Sequence, residues 1–115
     1  MLSWLRLQAE LFELLQTRFG LRRIYASGFP PVGQFPLLPH PLRWVLGRKA
    51  RHHDTALQRL AAASDTVRHV PLTPSLSKSH MADDGFHPGP DIYREWGHDM
   101  AQIILADLRQ ESAAP

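Results

Sequence analysis

With 115 residues, 43% hydrophobic and 21% charged, the chain has the size and composition of one globular domain, which excludes a large multidomain enzyme and a disordered segment. Thirteen Lys and Arg against 11 Asp and Glu leave a net charge of +2, too little for a dedicated nucleic-acid or anionic-membrane binder, whose affinity rests on many phosphate contacts. The chain has no cysteine, so a disulfide scaffold and a thiolate metal site are both excluded.

Residues 3 to 19 have the pattern of an amphipathic helix, with Ser3 as N-cap and Gly20 as stop. Trp4, Leu7, Leu11, Leu14 and Leu15 recur at helical spacing, and Leu5 and Phe12 broaden the stripe. Arg23 to Ala26 is short and β-prone, and Ser27-Gly28 after it predicts a buried strand ending in a turn. From Phe29 to Pro41 five prolines block regular hydrogen bonding, while Phe29, Val32, Phe35, Leu37 and Leu38 predict a loop packed down on the core. Pro41 suits the first position of a helix, predicted over Leu42 to Ala63. Leu42, Val45, Leu46, Ala50, His53, Leu57, Leu60 and Ala61 share one of its sides.

Val67 to Leu72 reads as a second strand, weakened by Arg68 and His69. A polar loop from Thr73 to His80 leads to Met81-Ala-Asp-Asp-Gly-Phe-His-Pro88. The last helix starts near Pro90 or Asp91 and carries Ile92, Trp96, Met100, Ile103, Ile104 and Leu108 inward, with 111–115 a frayed tail. The alternation of helices with two short strands predicts an α/β fold with three main helices. No run approaches the roughly 18 apolar residues of a membrane-spanning helix. Glu10 and Glu13 interrupt the first apolar segment, and no basic n-region precedes it. A complete product of this kind is expected to be soluble and cytoplasmic.

The segment Asp84-Gly85-Phe86-His87-Pro88 carries the chemistry. An acid three residues before an imidazole, in a turn constrained by Gly85 and Pro88, can bond one ring nitrogen and aim the other at a cleft. A histidine held this way suits a general base, because its pKa lies near working pH. The same spacing also fits a plain turn, with Asp84 as its buttress and His87 on the surface; short motifs match often by chance.

Asp84-Gly-Phe-His-Pro, followed by Gly89-Pro90-Asp91-Ile92-Tyr93 and an amphipathic helix, resembles the last conserved block of the SGNH/GDSL hydrolases. These are serine esterases and lipases built on a flavodoxin-like α/β/α sandwich. Gly28-Phe-Pro-Pro-Val-Gly-Gln-Phe-Pro-Leu-Leu-Pro-His-Pro-Leu-Arg43 is similar to the loop after the fourth strand in a bacterial subgroup. The resemblance extends from the first helix through Leu108. It implies that two parallel strands and three helices form the C-terminal part of such a sandwich, with His87 as base and Asp84 as its orienting carboxylate. It also implies a small carboxylic ester as substrate, and no metal or organic cofactor.

The family's nucleophile lies in a Gly-Asp-Ser block, which this sequence lacks. One of its oxyanion donors is an asparagine, and the sequence contains none. The resemblance therefore covers only the C-terminal half of the domain. Losing the serine of a serine hydrolase costs about 10⁶ in kcat, and an oxyanion donor about 10²–10³ more. From a typical turnover near 10 s⁻¹, roughly 10⁻⁵ s⁻¹ or less would remain. Ser27 follows the first strand, where α/β proteins place sites, but no Gly-x-Ser-x-Gly elbow surrounds it; a turn role suits it better. Two parallel strands also leave an apolar edge open, so association with a complementary N-terminal half or with a second copy is expected. The alternative is a non-catalytic α/β interaction module.

The remaining candidates have plain readings. Arg48-Lys49-Ala50-Arg51-His52-His53 suits a solvated helix face more than a phosphate site. His52, His53, His80, Asp83, His87 and His98 follow no metal-ligand spacing. Trp4, Trp44 and Trp96 suit core or interface positions. The proline-rich loop, too apolar for a free proline-motif ligand, suits the wall of an acyl pocket.

Overall fold

The computed structural model describes residues 1–35, 38–72, 87 and 89–113. In chain order the elements are α1 (Leu2–Phe19), β1 (Ile24–Ser27), a 3-10 turn (Val32–Gln34), α2 (Leu42–Ala62), β2 (Val67–Val70) and α3 (Pro90–Ala113). The chain is thus mixed α/β, with three main helices and two short parallel strands. It divides into two compact units. One comprises Met1–Gly33 with His40–Thr73, the other Gln34–Pro39 with Pro74–Pro115.

In the first unit, β1 and β2 pair in parallel with Ile24 opposite Val67 and Ala26 opposite His69. The ladder continues past both ends: Ile24 N–H donates to Thr66 O at 2.9 Å and Gly28 N–H to Val70 O at 2.7 Å. Parallel neighbours need a crossover connection, and α2 supplies it. Ser64 starts β2, its Oγ accepting the N–H groups of Thr66 (3.1 Å) and Val67 (3.3 Å). Phe12 of α1, Leu57 and Ala61 of α2 and Val67 of β2 form the buried core, with Trp4, Ile24, Ala26 and Leu60 packed around it.

Several expectations shift. Ser3 lies inside α1, whose N-cap is Met1 with no side-chain cap. Gly20 does end the helix, in a left-handed conformation (φ 64°), with its own N–H and that of Leu21 reaching Leu15 O. Pro41 is the N-cap of α2 rather than its first residue. Phe12 is the one buried residue of α1, while Leu7, Leu11 and Leu14 form an exposed apolar stripe. Amphipathic spacing selects a helix face but does not supply what covers it.

Of the apolar residues in the loop after β1, Phe35 and Leu38, which belong to the second unit, are buried, and Leu37 lies outside the described residues. A Cβ on Gly47 of α2 would come within 2.7 Å of Gly33 Cα, so only glycine admits the turn there.

In the second unit, α3 buries Ile92 and half-buries Trp96, Met100, Ile103 and Ile104. Its stripe then ends on buried Asp107 instead of Leu108, which is exposed. The helix continues to Ala113, three residues into the expected frayed tail. No helix among the described residues is long and apolar enough to cross a membrane.

Candidate functional site

Asp54, on α2, holds three partners in the first unit. Its Oδ1 accepts the Phe29 N–H at 3.1 Å and the His69 Nε2–H at 2.8 Å. Its Oδ2 accepts the Gln58 side-chain N–H at 3.2 Å. The carboxylate can only accept, so His69 donates through Nε2. One acid thereby ties together the loop after β1, the crossover helix and β2, at the C-terminal ends of the parallel strands. The side chains of His69 and Asp54 are 9% and 25% exposed, so the bond is sheltered and loosely screened.

Gly28 lies directly over this pair. A Cβ there would sit 3.0 Å from Asp54 Oδ1, 3.1 Å from His69 Nε2 and 3.2 Å from the Leu72 backbone nitrogen. Two of those three neighbours belong to the hydrogen bond itself, so a side chain at 28 would press against it. Beside it Trp4, Phe29 and His53 form a ring cluster with centroids 4.9 to 5.7 Å apart. His53 Nδ1 donates to Lys49 O at 2.8 Å, which fixes the ring. Chemically, the Asp54–His69 pair is an oriented carboxylate–imidazole. With its acid bonded to three donors and its imidazole sheltered, it is built as a clasp.

Sequence reasoning missed both residues. The signal was present: Asp54 shares a helix face with Leu57 and Ala61, and His69 alternates with Val67 on the inward side of β2. An ionisable residue at an inward position of each of two consecutive elements points to a pair.

Of the residues singled out for catalysis, His87 is exposed, three residues ahead of α3. Asp84 lies outside the described residues, as do His80 and Asp83. Ser27 Oγ donates to Gly28 O at 3.3 Å, a local turn contact. Among the described residues no three His, Cys, Asp or Glu side chains come together to hold a metal ion. In comparisons with known proteins the chain has no significant match to any family model, curated protein or solved structure.

Proposed function

We propose that these residues supply the C-terminal half of a carboxylic ester hydrolase domain of the SGNH/GDSL kind, with His87 as general base and Asp84 as its orienting carboxylate. The serine and the oxyanion donors come from outside the 115 residues. In the assembled site the imidazole takes the serine proton as the hydroxyl oxygen attacks the ester carbonyl. It then returns that proton to the leaving alcohol, and the acyl-serine is cleared by water in the same way. The 115 residues alone are inactive.

The observation that carries this reading is the parallel β1–α2–β2 unit: among the described residues β1 is paired on one edge only, as expected of strands belonging to a wider sheet. A flavodoxin-like sandwich is the wider sheet proposed. The exposed stripe of Leu7, Leu11 and Leu14 on α1 supports the second reading as well, a non-catalytic α/β module that binds a partner through that face.

Hydrolysis of p-nitrophenyl acetate separates the two. The chain alone should give no turnover, and adding a polypeptide that carries a Gly-Asp-Ser block and an Asn block should restore it. His87→Ala should abolish the restored activity. Turnover that survives His87→Ala, or none in a mixture shown to assemble, would rule out the hydrolase reading.

A further inference from the structure

Beyond the C-terminal ends of the strands, the first half of α2 and the start of α1 enclose a second feature. Met1, Trp44, Val45, Arg48, Lys49, His52 and His53 line a cleft of about 270 Å³ whose surface is mostly apolar. Its volume is just below the roughly 300–1,000 Å³ of sites that hold drug-sized ligands, so its occupant is small. Trp44 is 55% exposed, and Arg48 lies over its ring with the guanidinium carbon 5.5 Å from the centroid. That cation–π contact restrains the guanidinium beside the Trp44 ring.

Among the described residues the lining contains no carboxylate. Among the described residues neither Arg48 nor Lys49 is within ion-pair distance of one. Two cations and no acid among the described lining residues, beside the apolar Trp44 and Val45, are matched by an apolar body ending in a negative charge. Through His53 the cleft joins the Trp4–Phe29–His53 cluster at the end of β1, on the side where parallel sheets receive ligands.

We infer that this cleft binds a small organic anion, an alkyl or aryl chain bearing one carboxylate, with the chain on Trp44 and Val45 and the carboxylate on Arg48 and Lys49. The site needs neither His87 nor ester hydrolysis, so it stands or falls separately from the proposed activity.

Octanoate is a suitable probe and octanol its uncharged counterpart. Titration calorimetry on the full chain should give octanoate a Kd below about 1 mM, with octanol weaker by at least about tenfold, the difference expected for one charge-assisted contact. Arg48→Gln with Lys49→Gln, both exposed positions, should lower octanoate affinity by about tenfold or more and leave octanol unchanged. In NMR spectra, the indole N–H resonance that octanoate moves should be the one that disappears in Trp44→Phe. Equal binding of octanol and octanoate, no effect of the double substitution, a shift confined to another indole, or no binding would each overturn the inference.

Discussion

In the C-terminal half of α2, Leu57 and Ala61 are buried and Asp54 clasps a loop and a strand; in the first half Leu42, Trp44 and Val45, on the same helix, are exposed. Both halves carry apolar residues at helical spacing. They differ in their neighbours: β2 and α1 cover the former, and a mostly apolar cleft with basic residues in its lining opens beside the latter. Periodicity marks residues able to be buried, and the chain's other elements decide which of them are.

That contrast can be broken by substitution. The largest effect is expected at Leu57: Leu57→Ala should cost about 2–5 kcal/mol in urea unfolding through the cavity it leaves, whereas Val45→Ala in the first half should stay within about 0.5 kcal/mol. Comparable losses at the two sites would show that the halves are equally packed.

The clasp comes next. Asp54→Ala strands the Phe29 N–H and the His69 Nε2–H, which should cost about 1–3 kcal/mol. Asp54→Asn keeps an acceptor oxygen and should cost less. Hydrogen exchange supplies the local readout, the Phe29 amide being expected to exchange faster in Asp54→Ala. An unchanged Phe29 amide would argue that the loop is held by its ring cluster alone. The smallest change is expected where β2 begins. Ser64→Ala removes the acceptor for two backbone N–H groups and should cost about 0.5–1.5 kcal/mol by the same unfolding measurement.

Much of the fold was legible in the sequence. Gly20, Pro41 and the β-prone Ile24-Tyr25, with Val67 and Val70 in the second strand, mark element ends and strands to within a few residues, because local backbone chemistry sets them. Which apolar face meets a partner was not legible: Leu7 and Phe12 look equally suited to a core, and only the position of α2 separates them. The Asp54–His69 clasp escaped notice for a related reason. Its members lie 15 residues apart, and their meeting depends on the crossover bringing α2 back over β2. The Asp84–His87 reading rests on spacing and resemblance, with Asp84 outside the described residues.

The claim that these strands belong to a wider sheet is tested most directly by thermal melting of the isolated chain over a wide range of concentrations, with its mass followed by sedimentation. A β1 edge with no second strand among the described residues and an exposed α1 stripe predict a broad, low transition whose midpoint rises with concentration as copies associate. A sharp cooperative transition at a fixed temperature, from a chain that stays monomeric throughout, would contradict it.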